Sequence, residues 1–165
     1  MDSRKKERVM PTEIYTDGSL KKLGNLTFGG WAYIVVRDQE GIYANSDSVR
    51  DTTNQRMELT AIVEALKYIE LHRRPSEKII VYTDSAYIVN CYLKEWYIKW
   101  QNNGWINSGG KSVANIDLWC QLIPYFDNFW YDFRKVEGHA GVYWNEKCDT
   151  MAQSCAQVLK ENWRG

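Results

Sequence analysis

The chain has 165 residues, 44% of them apolar and 25% charged, as expected of one soluble globular domain with its own core. Basic and acidic residues balance at 21 each, which argues against a bulk electrostatic nucleic-acid binder while leaving room for an enzyme with a local patch. No apolar run approaches a membrane span and no apolar segment follows the start. Four cysteines without a CxxC pair, beside two histidines, argue against a zinc site.

Residues 1–10, with DSRKKER at 2–8, read as a charged N-terminal extension, and 11–165 as a single domain. The stretch 11–17 reads as a first strand stopped by Gly18, followed by a loop over 19–28. GGWAYIVVRD (29–38) reads as a strongly β-prone strand buried on both faces at Val35-Val36, and DQEG (38–41) as the turn into a third strand over 42–49. From Asn54 or Gln55 to about Arg73, the apolar residues Leu59, Ile62, Val63, Leu66 and Ile69 recur at helical spacing. KIIVYTD (78–84) reads as an interior parallel strand, with a helix opening at Ser85.

Between Leu93 and Ser112 the chain becomes aromatic and glycine-broken, as expected of a short helix and a loop standing off the body. Trp96 and Trp100 suit a small satellite core, whereas Trp105, at a glycine break, is more available for stacking or sugar contact. An amphipathic helix (114–126), a strand (128–136) and a helix (145–162) close the chain, the last with Cys148, Met151, Cys155 and Leu159 as its buried stripe. The order predicts an α/β fold: a mixed sheet of three antiparallel strands followed by crossover units, flanked by helices.

Four carboxylates, Asp17, Glu58, Asp84 and Asp149, stand at predicted strand ends or near helix starts. Any one of them alone also fits a helix cap or a surface turn. Converging without lysine or arginine partners they would repel, and oxygen-ligated Mg²⁺ or Mn²⁺ relieves such repulsion. Two ions about 4 Å apart suit in-line attack at a phosphodiester. His139, set among Gly138, Ala140 and Gly141, is a candidate proton shuttle on a loop, or a surface histidine.

The strings YTDGS (15–19), TTNQRMEL (52–59), YTDSAY (82–87) and VEGHAG (136–141), with NEKCD (145–149) downstream, closely resemble ribonuclease HI, over about residues 11–160. That resemblance implies a five-stranded ribonuclease H-like fold with a projecting Trp-rich segment. It implies an endonuclease that cuts the RNA strand of RNA/DNA hybrids, leaving 5′-phosphate and 3′-hydroxyl ends, with two Mg²⁺ ions or Mn²⁺ as substitute. In that scheme Asp17 is shared by both metals, and Asp149 completes the site that holds the attacking water. Glu58 and Asp84 join Asp17 on the leaving-group side, and His139 assists protonation or product release. Substrate contacts fall on Gly18, Ser19, Thr53, Asn54 and Trp105, with Asn25 as the nearest candidate for a further asparagine. Lys94, Lys99 and Lys111 form a thin basic patch in the projection.

Three departures stand out. Ala86 replaces a frequent glutamine, LKKLGNLTFGG (20–30) lacks the usual proline, and the projection is only weakly basic. They predict poorer hybrid binding and heavier reliance on the divalent ion, with activity retained. The rival readings are a transposase-like nuclease, a piece of a reverse transcriptase, and a non-catalytic hybrid-binding module. A cytoplasmic monomer with no membrane association and no obligate protein partner is the expectation.

Overall fold

The computed structural model describes residues 10–136 and 142–165, so residues 1–9 of the charged N-terminal extension lie outside the described residues. Ten elements follow in chain order: β1 (Thr12–Leu23), β2 (Leu26–Arg37), β3 (Glu40–Arg50), α1 (Asn54–His72), β4 (Ile79–Thr83), α2 (Ala86–Lys94), α3 (Trp96–Asn102), α4 (Ile116–Phe126), β5 (Tyr131–Lys135) and α5 (Val142–Glu161). The strands form one mixed sheet in the order β3-β2-β1-β4-β5, antiparallel across β1, β2 and β3 and parallel across β1, β4 and β5. This is the mixed sheet expected from the element order, and the ribonuclease H-like layout that the resemblance implies. No helix among the described residues is long and apolar enough to cross a membrane.

The β1–β2 hairpin corrects the sequence reading. Gly18 does not stop β1, and 19–28 is not a loop: pairing runs from Glu13↔Val36 through Gly18↔Trp31 to Leu23↔Leu26. The turn is the two-residue Gly24-Asn25, and Gly24 takes the positive φ of 59° that such a turn needs. The β2–β3 turn falls where DQEG predicts it, with Asp38 and Gln39 both at positive φ.

Alternation along the strands builds a core on each face. Ile14, Tyr33, Val35, Val81 and Phe133 pack under α1 to α4, while Tyr15, Ala32, Ile34 and Val36 pack under α5. The buried stripe of α5 is small-sided: Cys148, Ala152 and Ala156 are buried, whereas Met151, Cys155 and Leu159 are half-buried. Small residues are required because the helix lies against bare backbone. A Cβ on Gly30 would come 2.0 Å from the Ala152 carbonyl oxygen and 2.9 Å from the Ala156 amide nitrogen. Gly30→Ala is therefore expected to destabilise the fold by about 3 kcal/mol. Thermal unfolding should read this as a drop of roughly 6–12 °C; an unchanged midpoint would show that α5 is not seated on β2.

Tyr97 and Trp100 belong to the main core, where Trp96 and Trp105 also pack, so the aromatic segment is no satellite. Glu95, at φ 56°, breaks the helical run into α2 and α3, which turns α3 back onto α4 and its Trp119. The loop that follows is held by an isolated bridge, Ile106↔Ser112, and by the Val113 amide donating to the Trp105 carbonyl at 2.8 Å.

Candidate functional site

Asp17 lies in the middle of β1 rather than at its end, 4% exposed. Strand alternation turns it toward α5, and turns Gly18 toward α1. A Cβ on Gly18 would meet the Glu58 amide nitrogen at 2.5 Å, so the absence of a side chain lets the second turn of α1 lie directly on the strand. That approach carries Glu58, 7% exposed, to the edge of Asp17. Asp84 follows β4 and precedes α2, whose N-cap is the Ser85 hydroxyl. Asp149 lies two turns into α5, because that helix starts at Val142 rather than 145. Beneath it the Cys148 thiol, fully buried, donates to the carbonyls of Ala32 (3.2 Å) and Tyr15 (3.5 Å) and seats the helix over β1 and β2.

The electrostatics join the four acids pairwise. Burial, the Glu58 charge and a hydrogen bond with Asp149 push the Asp17 carboxyl up to about 9, against the pull of the Gly18 amide (2.9 Å). Burial and the Asp84 charge push Glu58 up to about 7, opposed by hydrogen bonds from Asp17 and Gly18. Asp84 is raised by burial and by Asp149, and lowered by an Asn145 hydrogen bond and the Lys135 charge. One oxygen of Glu58, Oε2, is buried without a hydrogen-bond partner among the described residues.

Among the described residues no three His, Cys, Asp or Glu side chains are already drawn together as ligands of an ion. Charge coupling acts over longer distances than coordination, so both observations hold at once. Oxygen-only donors, an orphaned buried oxygen and mutually raised carboxyls are what a hard divalent cation fits. His139 lies outside the described residues.

Beside the acids runs a groove of about 620 Å³, lined by Asn54, Gln55, Glu58, Asp84, Ser85 and Tyr87 on one side and by Asn107, Ser112 and Ala114 on the other. Of the residues singled out in the sequence, Asn54, Glu58 and Asp84 line it. Thr53 is the N-cap of α1, its hydroxyl accepting from the Arg56 amide at 3.1 Å. Ser19 pairs with Gly30 in β1, and Asn25 is exposed in the hairpin turn. Lys94, Lys99 and Lys111 are exposed on α2, α3 and the following loop, while Trp105 is half-buried at φ 64°.

Sequence reasoning missed Gln55, Tyr87, Asn107, Asn145 and Lys135. Helical spacing holds the signal for two of them, since Gln55 precedes Glu58 by three residues and Asn145 precedes Asp149 by four. Asn107 carries no such signal. Its side-chain oxygen accepts from the amides of Gly109 and Lys111, both at 3.0 Å, and so shapes the groove wall. Arg56 ties that wall to α1, donating to Asp117 at 2.7 and 3.0 Å and to Asn115 at 3.2 Å.

The RNase H family model matches residues 10–157. The chain is 44% identical over 147 residues to the ribonuclease H of Syntrophomonas wolfei, covering 88% of this chain and 96% of that protein. Among solved structures it resembles LC9-RNase H1, a type 1 RNase H with the type 2 active-site motif, at 28% identity and a TM-score of 0.68, covering 89% of this chain and 72% of that one. The foamy viral protease-reverse transcriptase in complex with dsDNA shares the fold, with a TM-score of 0.77 at 21% identity over 89% of this chain and 94% of that one. With the family model spanning most of its length and curated relatives matched almost end to end, the chain belongs to the ribonuclease HI family of endoribonucleases.

Proposed function

We propose that the protein cuts the RNA strand of RNA/DNA hybrids by a two-metal mechanism, leaving 5′-phosphate and 3′-hydroxyl ends. The observation that carries the reading is the coupling of Asp17, Glu58, Asp84 and Asp149, from β1, the turn after β4 and the helices α1 and α5, beside one open groove. A solved complex of LC11-RNase H1 with an RNA/DNA hybrid supports the substrate class for this fold. Asp17, Glu58, Asp84 and Asp149 would hold two Mg²⁺ ions, or Mn²⁺ in their place. Bound there, such ions supply Lewis-acid stabilisation of the attacking and leaving oxygens.

The chain's own residues provide the rest. Asn145 orients Asp84, and the Gly18 amide orients Asp17 and Glu58. Asn54 and Gln55, at the start of α1, face the groove where a minor groove with its 2′-hydroxyls would lie. Gly18, Ser19, Asn25 and Thr53 would add contacts to the hybrid outside the groove lining, as the family resemblance implies. Trp105, with Lys94, Lys99 and Lys111, serves the DNA strand. His139 moves the proton at the departing 3′-oxygen. Residues 11–165 act as one catalytic domain after the leader, as a monomer without an obligate partner. Four cysteines free of disulfides suit a cytoplasmic setting.

The test presents one labelled RNA strand as a hybrid, as duplex RNA and as a single strand, with Mg²⁺, Mn²⁺ or EDTA. Cleavage of the hybrid alone, abolished by EDTA, is expected. Equal cleavage of all three substrates would point instead to a general nuclease, and binding without any cleavage to a hybrid-binding module.

A further inference from the structure

One cation at the rim of the acid site has no task in the reaction as described so far. Lys135 is the last residue of β5, in parallel register with Thr83, the residue immediately before Asp84. Adjacent strands lie about 4.8 Å apart, so the backbone of Lys135 runs one strand spacing from the chain that delivers Asp84. Alternation along β5 buries Tyr131 and Phe133 in the core under the α1–α4 layer. Lys135 continues that face past the end of the core and is exposed. Its neighbour Arg134 turns to the opposite face and is engaged with Asp132 at 2.8 Å. Lys135 has no ion pair with another described residue.

The charge balance of the site gives this position a use. Four carboxylates carry four negative charges, and two divalent ions bring that sum only to zero. The incoming nucleic acid carries a negative phosphate at every nucleotide, and the Trp-rich projection is only weakly basic. A lysine at the open rim beside Asp84 supplies positive charge where the cut strand must pass. Its position also accounts for its influence on Asp84, whose carboxyl it favours in the charged form.

We infer that Lys135 is a substrate-binding residue whose ammonium holds a backbone phosphate of the cut strand next to the scissile one. The inference rests on the proposed hybrid-cleaving function and adds to it a second anchor, on β5 beside the chain that delivers Asp84.

The experiment measures kcat and KM for hybrid cleavage in Mg²⁺ from 50 to 200 mM KCl, for the wild type, Lys135→Ala and Lys135→Arg. Hybrid binding in EDTA, read by fluorescence anisotropy over the same salt series, runs alongside. Lys135→Ala is expected to raise KM about fivefold at low salt, with kcat within twofold of wild type and an unchanged melting temperature. Its binding should lose about one unit of slope in log Kd against log salt, and arginine should restore most of the affinity. An unchanged KM and salt slope would overturn the inference, as would a fall in kcat at constant KM, which would make Lys135 a positioning residue for Asp84. Failure of the wild type to cleave would count against the proposed function itself. The salt slopes in EDTA would still decide whether Lys135 meets a phosphate, and absence of binding would refute both.

Discussion

Asp84→Asn is expected to lower kcat/KM for hybrid cleavage by about a thousandfold, roughly 4 kcal/mol of transition-state stabilisation, while leaving the fold intact. Asp84 follows a short parallel strand whose five residues carry its position, and the Ser85 hydroxyl caps the next helix without help from it. The amide is isosteric, so the loss falls on charge rather than shape. In the metal-free protein the substitution removes a charge that burial and Asp149 already disfavour, so the melting temperature in EDTA should hold or rise slightly. Activity within tenfold of wild type, at an unchanged melting temperature, would remove Asp84 from the catalytic set. Loss of activity together with unfolding would make the acid structural.

The second large effect concerns pH in the absence of metal. The carboxyl of Asp17 rises from an ordinary value near 4 to about 9, and that of Glu58 to about 7. A raised value in the folded state means that the folded protein holds its protons more tightly than the unfolded chain does. The stability they contribute is complete below the unfolded value, near pH 4, and is lost as pH climbs through 7 toward 9. In EDTA the melting temperature should therefore fall between pH 5 and pH 9.

Saturating Mg²⁺, bound by the native state alone, should recover most of that loss at the alkaline end. Asp17→Asn relieves the repulsion permanently. At pH 8 in EDTA it should stabilise the protein by on the order of 2 kcal/mol, or about 6 °C, while abolishing cleavage and most of the Mg²⁺-induced stabilisation. A melting temperature independent of pH, in EDTA and with no response to Mg²⁺, would mean that the four acids do not share one field. Function would then need another explanation than a cation site.

The two experiments probe different links. The first asks whether Asp84 reaches the reacting phosphodiester. The second asks whether Asp17 and Glu58 are held together against their own repulsion, which is a property of packing. Gly18 and Gly30 make that packing possible, one by admitting α1 to the strand and the other by admitting α5.

Much of this was legible in the residues themselves. Helical spacing of Leu59, Ile62, Leu66 and Ile69 determined α1, and the β-branched run at Ile34-Val35-Val36 determined β2, because both patterns have only one way to bury their apolar atoms. The four acids were legible as a set because each lies in a short string of its own. What the sequence could not determine was the path of β1 beyond Asp17. A glycine after an acid reads locally as a stop, and only pairing with β2 across Gly18↔Trp31 and Ser19↔Gly30 shows that the strand continues. The aromatic segment was likewise misjudged as a satellite, since a Trp at helical spacing does not reveal which surface it will cover. The groove wall at Asn107 and the rim position of Lys135 belong wholly to tertiary structure. The first comes from a loop folded back by Asn103, Asn107 and the Arg56–Asp117 pair, and the second from strand order. Local patterns record which atoms must leave water, whereas the meeting of residues far apart in the chain is decided by register and by the close approach of backbones.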